Sequence, residues 1–199
     1  MLAMLHLPEI TIIALTNKDF EGHKKALDES CKDIVWGGAK IIWDETITSI
    51  DDWNRKVVFE LTDYVSTPFA LLIHADGYVV DRSAWRQEFL DYDYVGAPWP
   101  LPIDDYSYRD PEGNLIRVGN SVSLRSKRLL DLPRKLNLEW REYFGNTNED
   151  GFLCVHNHKV LEENGCRFAP LEVAKYFSKE HEIEENKSIK TFAFHQVDA

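Results

Sequence analysis

Phe69-Ala70-Leu71-Leu72-Ile73-His74-Ala75-Asp76-Gly77 is the stretch on which the fold turns. Its first five residues are apolar without alternation, and the chain then becomes polar and meets a glycine. A short unbroken apolar run bounded by turn residues is the pattern of a strand covered on both faces. Thr67-Pro68 stops whatever precedes it. The expectation is a buried strand over Phe69 to Ile73 whose carboxyl end presents Asp76 on backbone free to turn tightly.

Working outward, Ile10 to Leu15 is a second continuous apolar run. Lys18 to Ser30 carries Phe20, Ala26 and Leu27 at roughly helical spacing. Ile34 to Trp36 is a short strand ending at Gly37-Gly38, and Lys40 to Trp43 is another. Asp51 to Val65 is the clearest helix, with Trp53, Val57, Leu61 and Val65 every four residues and Ser49 or Asp51 as its cap. Strands alternating with helices predict an α/β fold with a mostly parallel central sheet flanked by helices. Such sheets bind ligands at the carboxyl ends of their strands.

The C-terminal half is more irregular. Ser83 to Leu90 has a helical pattern, Tyr92 to Val95 a strand pattern, and Pro98 to Gly113 forms a polar, turn-rich loop. Val118 to Arg125 is a strand, followed by a short helix over Ser126 to Leu132 that Pro133 ends. Glu149 to Glu163 is a helix with Gly165 as its stop. Thr191 to His195 is a last strand-like run, and Glu182 to Lys190 a mobile tail. No repeat or linker divides the 199 residues, so one domain over 1–199 is expected.

The 44% hydrophobic fraction suffices for a core at this length. A net charge of −11, with scattered Lys and Arg, argues against a nucleic-acid partner, which would need a basic patch. An anionic small molecule remains compatible if a divalent cation bridges it to carboxylates. Three cysteines, Cys31, Cys154 and Cys166, do not make a disulfide framework. Met1 to Ile13 lacks a basic leader segment, and no run approaches ~20 apolar residues. A cytoplasmic chain without a transmembrane segment is expected.

Four constellations carry chemistry. A carboxylate at Asp76 can hold Mg²⁺ or Mn²⁺, though the residues equally suit a plain turn. Asn148-Glu149-Asp150-Gly151 begins a helix, where Asn148 can cap and the dipole favours an ionised Asp150. Such a carboxylate can act as a general base, and ordinary capping also accounts for it. His195, closing Phe192-Ala193-Phe194, can be a metal ligand or a satisfied core histidine. Trp99, in Gly96-Ala97-Pro98-Trp99-Pro100, can be an exposed platform for a sugar face or a core residue. His156-Asn157-His158 lies in mid-helix without a basic surface, and its neighbours Cys154 and Cys166 have no standard zinc spacing.

Taken in order, Trp53-Asn54, His74-Ala75-Asp76-Gly77, Phe89-Leu90-Asp91-Tyr92-Asp93-Tyr94-Val95-Gly96-Ala97-Pro98-Trp99, Gly119-Asn120-Ser121-Val122-Ser123-Leu124-Arg125-Ser126, Glu149-Asp150, Phe168-Ala169-Pro170 and Phe194-His195 form a series. That series resembles a sparsely characterised family of glycosyltransferase-like proteins with the GT-A fold, associated with surface polysaccharide synthesis in bacteria. The Tyr-Asp-Tyr-Val-Gly-Ala-Pro-Trp block is its most specific part.

The resemblance implies a GT-A-like (Rossmann-like) sheet and a hexosyltransferase-type enzyme. Such an enzyme moves a sugar from a nucleoside-diphosphate sugar to a carbohydrate or glycan hydroxyl, with inversion. Asp76 and His195 would hold Mn²⁺ or Mg²⁺, and Asp150 would be the base. Ala14, Leu15, Thr16 and Asn17 would meet the nucleotide, with Asn54, His74 and Ala75 beside them. Trp99, Asn120, Ser121 and Glu149 would contact substrate. His74 stands where the family usually has Gln, and Ser121-Val122 shortens its Gly-Gly-Phe. Those departures keep two rivals in view, a non-catalytic nucleotide-sugar or carbohydrate-binding module and a nucleotidyltransferase.

Overall fold

A computed structural model describes residues 4–141 and 148–196. The first three residues of the Met1 to Ile13 stretch lie outside that range. Five strands form the central sheet: β1 (Leu5–Thr16), β2 (Ile34–Trp43), β3 (Phe69–Leu72), β4 (Tyr94–Pro98) and β5 (Val118–Ser126), in the order β2-β1-β3-β5-β4. β1 is parallel to β2 and β3, whereas β5 is antiparallel to both β3 and β4. Four strands therefore share one direction and β5 alone opposes them, which is the mostly parallel α/β sheet expected from the sequence.

The apolar runs are unbroken because both faces of the sheet are covered. Ile10, Ile12 and Ala14 of β1 join Leu71 and Ile73 in one core cluster, with Ala26 of α1 (Phe20–Ser30) and Phe177 of α6 (Leu171–Phe177). Ile13 and Leu15 join Ala70 and Leu72 in another. There they meet Val57 of α2 (Ile50–Phe59) and Leu130 of α3 (Lys127–Lys135). The period of two along each strand divides one apolar run between two cores.

Several elements differ from their sequence pattern for local reasons. β2 is one strand through Gly37-Gly38 rather than two. A Cβ on Gly37 would lie 2.1 Å from the Pro8 carbonyl oxygen, so glycine serves a close approach beside the β1 irregularity, not a turn. Ser49 Oγ caps α2 by accepting from the Asp52 N–H, and α2 ends at Phe59, with a 3₁₀ turn at Leu61–Tyr64 taking up the four-residue apolar spacing. Ser83 to Leu90 is two 3₁₀ turns, Arg82–Ala84 and Gln87–Asp91, split at the extended Arg86. Pro133 does not end α3, which runs to Lys135.

The expected helix over Glu149 to Glu163 is three pieces. These are α4 (Glu149–Gly151), a π-helical turn over Phe152–His156 and α5 (His158–Glu163). Gly165 follows with φ +87°, the left-handed stop its position predicts. Glu182 to Lys190, expected as a mobile tail, is instead folded back around a buried Asn186. That side chain accepts from the Ile183 N–H at 2.9 Å and donates to the His181 carbonyl at 2.9 Å. β6 (Ser178–Lys179) and β7 (Ala193–Phe194) pair in parallel, which returns the C-terminal run to the body of the fold. Cys31, Cys154 and Cys166 are free thiols. Among the described residues, no helix is long and apolar enough to cross a membrane.

Candidate active site

The carboxyl ends of β1 and β3 open onto a cavity of about 790 Å³, a size that suits a small-molecule ligand. Because β5 runs backwards, its first half lies at the same edge. Leu72 pairs with Ser123, so Asn120 and Ser121 extend beyond the end of β3. Leu15, Thr16, Asn17, Asn54, His74, Ala75, Asp76, Ser121, Glu149, Asp150 and His195 all line this cavity. Residues brought together from six segments of the sequence thus share one wall.

His74 to Gly77 is a tight turn closed by the His74 N–H donating to the Gly77 carbonyl at 2.7 Å. The C-terminal run is laid across it. Phe194 donates to the Tyr78 carbonyl at 3.1 Å and Gln196 to the Asp76 carbonyl at 2.9 Å. His195 is thereby set beside Asp76, with Nε2 3.6 Å from Oδ1. Gly77 makes the approach possible, since a Cβ there would lie 2.7 Å from His195 Cδ2 and 2.5 Å from Val122.

Glu180, which carries no motif in the sequence, completes the cluster, with Oε1 3.6 Å from His195 Nδ1. Burial opposes ionisation of both groups. Even so, the contacts with His195 and Asn120 hold Glu180 below the ordinary carboxylate range. Glu180 and then Asp76 raise His195 above the ordinary imidazole value. His74 stacks on His195 at 5.1 Å and meets the tilted ring of Trp53 at 5.1 Å. Burial, then His195, holds His74 well below the usual imidazole range, so it is neutral. Trp53 anchors the stack by donating from its indole to the Leu15 carbonyl at 2.7 Å.

Asp150 differs from its expected state. Its carboxylate accepts from the Asn120 N–H at 3.0 Å and the Gly151 N–H at 2.7 Å. Burial, and then repulsion from Glu149, pushes its pKa up to about 7. A three-residue α4 without a side-chain cap from Asn148 has too little dipole to offset that desolvation. A carboxyl titrating near neutrality is suited to proton transfer.

Glu149 touches the cavity but its side chain is 1% exposed and paired with the fully buried Arg125 at 2.7 Å. The Glu149 N–H is received by Asn54 Oδ1 at 3.2 Å. These two residues therefore fix α4 in place, which is a holding role more than a substrate contact. Asn17 is likewise committed, donating to the Ile47 carbonyl at 2.6 Å.

Three predicted residues do not line the cavity. Ala14 is fully buried in the sheet. Trp99 is a core residue, 5% exposed, stacked on Tyr108 at 4.8 Å. It packs so closely on Gly119 that a Cβ there would fall 1.8 Å from Cζ2. The stiff Pro-Trp-Pro turn therefore aims the indole inward, not at a ligand. Asn120 is buried behind the wall, with φ +91°, its side-chain nitrogen 3.3 Å from His195 Nδ1.

Among the described residues, no three His, Cys, Asp or Glu side chains converge to hold a metal ion. Asp76 and His195 are the two side chains expected from the sequence to hold one, and they stand side by side. An oxygen and an unencumbered imidazole nitrogen 3.6 Å apart can share a cation with bonds of ~2 Å, leaving positions for ligand oxygens. The exposed Asp76 carboxylate shares the cavity lining with Glu180 and Asp150, so carboxyl groups predominate on this wall.

Strand order, the lone reversed strand and the cavity at the carboxyl edge define a GT-A-like α/β protein. The chain is similar over 94% of its length to 91% of a crystallised glycosyltransferase involved in the glycosylation of the major capsid of PBCV-1. The TM-score is 0.58 and the identity 14%. Residues 40–195 match the model of the family described as a protein of unknown function, DUF5672, and the chain belongs to that family. No curated protein matches it.

Proposed function

We propose that this chain, as one domain over residues 1–199, is a glycosyltransferase. It would move a hexose from a nucleoside-diphosphate sugar to a hydroxyl of a carbohydrate acceptor, with inversion. The observation that carries the reading is Asp150: a carboxyl on the cavity wall, held by two backbone N–H groups, with a pKa near 7. Above that pH it accepts the proton of the acceptor hydroxyl while the oxygen attacks the anomeric carbon and the bond to the diphosphate breaks. Attack and departure on opposite faces invert the configuration.

Asp76 and His195 would hold Mn²⁺ or Mg²⁺, whose charge offsets that of the departing diphosphate. Leu15, Thr16 and Asn17, at the cavity's β1 edge, would meet the nucleotide, and Ser121 would meet the sugar. The fold of the PBCV-1 glycosyltransferase supports the reading by analogy of scaffold.

A thermal-shift panel of nucleotide sugars with and without Mn²⁺ tests it, repeated on Asp76→Ala. A Mn²⁺-dependent rise in Tm with at least one donor, lost in the variant, is expected. No stabilisation by any donor, or identical behaviour of the variant, overturns the reading. Donor binding without transfer or donor hydrolysis would favour the non-catalytic module.

A further inference from the structure

We propose that His23 is a ligand-binding residue of this cavity, whose Nε2 accepts a hydrogen bond from a hydroxyl group of the nucleotide sugar. The inference rests on the nucleotide-sugar reading above and adds to it a contact on the α1 side of the cavity. His23 belongs to no motif of the sequence, yet it borders the cavity and is only 7% exposed. Its Nδ1 lies 2.9 Å from the Asp19 carbonyl oxygen. A carbonyl only accepts, so Nδ1 carries the proton, and in the neutral ring Nε2 is a bare acceptor. Nε2 has no hydrogen-bond partner among the described residues, and unlike Nε2 of His74 it is not sealed from solvent. In a buried ring that borders the cavity, that opening is onto the cavity.

The chain leaving β1 sets this orientation. The Thr16 hydroxyl donates to the Lys18 carbonyl at 2.5 Å and receives the Lys18 N–H at 3.1 Å. Asp19 then takes φ +48° and caps α1, its Oδ1 accepting the Gly22 N–H at 3.1 Å. The Asp19 carbonyl receives both the backbone N–H of His23, at 3.1 Å, and its ring. The ring is therefore held before a ligand arrives, which lowers the ordering cost of binding.

Asn17 offers a second acceptor on the same side, because its amide nitrogen is spent on the Ile47 carbonyl and Oδ1 is left uncommitted. Thr16 has spent its hydroxyl proton on Lys18. Lone pairs so arranged fit a group that supplies O–H donors, a hydroxyl of the ribose or of the hexose. The edge of uracil, whose one N–H lies between two carbonyls, would set lone pairs against lone pairs.

The test is calorimetric titration of the full chain, with Mn²⁺ present. The probes are UDP, GDP, the 2′-deoxy and 3′-deoxy forms of each, UDP-glucose and GDP-mannose. The variant is His23→Asn, whose Nδ2, like Nδ1 of the ring, is one bond from Cγ and can keep the bond to Asp19. A loss of about 2–10-fold is expected for the ligand that carries the hydroxyl. If the ribose supplies it, a deoxy form should bind wild type more weakly than its parent by a similar factor, and that difference should vanish in His23→Asn. If the hexose supplies it, the advantage of the nucleotide sugar over its diphosphate should shrink in the variant. A variant that binds every probe as wild type does, or that weakens all probes equally and keeps each difference, overturns the proposal.

If His23→Asn fails to fold, wild type labelled with ¹⁵N-histidine decides at about pH 9, where imidazole is neutral. A bare Nε2 whose resonance moves when a probe binds supports the contact. Nε2–H, or an Nε2 resonance indifferent to every probe that binds, overturns it. Wild type that binds none of the probes overturns the nucleotide-sugar reading and this contact with it, whereas binding that His23→Asn leaves untouched overturns the contact alone.

Discussion

Asn120 donates its backbone N–H to Asp150 Oδ2 at 3.0 Å, across thirty residues of sequence. That bond joins the reversed strand β5 to the start of α4. It requires a conformation that few side chains other than glycine adopt, with φ at +91°. The cost of order 1–3 kcal/mol is offset by the bonds Asn120 makes around it. Tyr94 Oη donates to its carbonyl at 2.5 Å, and its own Oδ1 receives the Val122 N–H. A residue strained in this way just behind the wall of a cavity orients the groups on either side.

Asp150 gives the first expected outcome. With a pKa near 7 and the ionised form active, kcat/KM should rise with pH through a limb near 7. Asp150→Asn should lower kcat by roughly 10²–10⁴-fold with donor affinity retained. Initial rates across about pH 5–9, for wild type and variant, check this. Full activity in Asp150→Asn removes Asp150 from the mechanism.

The same shift bears on stability. A carboxyl whose pKa is raised by folding binds its proton more tightly in the native state. Its contribution is therefore favourable below the unfolded value near ~4 and is lost as pH rises through about 7. Asp150→Asn should gain on the wild type between those limits, by about 1–2 kcal/mol above pH 7 once water in the cavity is allowed for. Urea unfolding of both proteins at about pH 5 and pH 8 measures the gap. A gap that does not widen with pH contradicts the raised pKa.

Arg125 and Glu149 form a fully buried ion pair. Removing one partner leaves a buried charge alone, so Arg125→Met should cost about 3–5 kcal/mol in chemical unfolding. Replacing both partners by apolar residues should cost less than the sum of the single changes. Because Glu149 repels the Asp150 anion, Glu149→Gln should also move the acidic limb of the rate profile to lower pH.

Gly77→Ala tests the contact between the turn and the C-terminal run. The added methyl would meet Val122 and His195. A loss of about 1–3 kcal/mol is expected from overpacking. Mn²⁺ affinity should fall in the folded variant as His195 is displaced. Calorimetry on Gly77→Ala, with and without Mn²⁺, reports both.

Trp99→Ala separates the two roles open to that indole. As a core residue stacked on Tyr108, it should cost about 3–5 kcal/mol of stability. Donor affinity of the folded fraction should be close to that of wild type. A large loss of donor affinity with little loss of stability would return Trp99 to the ligand.

The sequence by itself determined the sheet. Apolar runs at Ile10 to Leu15 and Phe69 to Ile73 can only be buried on both faces, and the helices between them make the strands parallel. Strand patterning also set Asp76 at the carboxyl edge. The ordered motifs pointed to Asp150 and His195, though without placing them. Residues whose environment is local were legible, such as the Gly165 stop and the Ser49 cap.

Only the tertiary structure decided which way Trp99 turns. It also decided that Asp150 is desolvated rather than stabilised by a helix dipole, and that Glu149 serves Arg125. Glu180 was invisible because its partners, Asn120 and His195, come from β5 and from the C-terminal run. Direction, burial and charge pairing depend on groups remote in the chain, and no spacing in the sequence encodes them. Asp76 keeps the place that its strand gave it, and the fold alone brings His195 to within 3.6 Å of it from the far end of the chain.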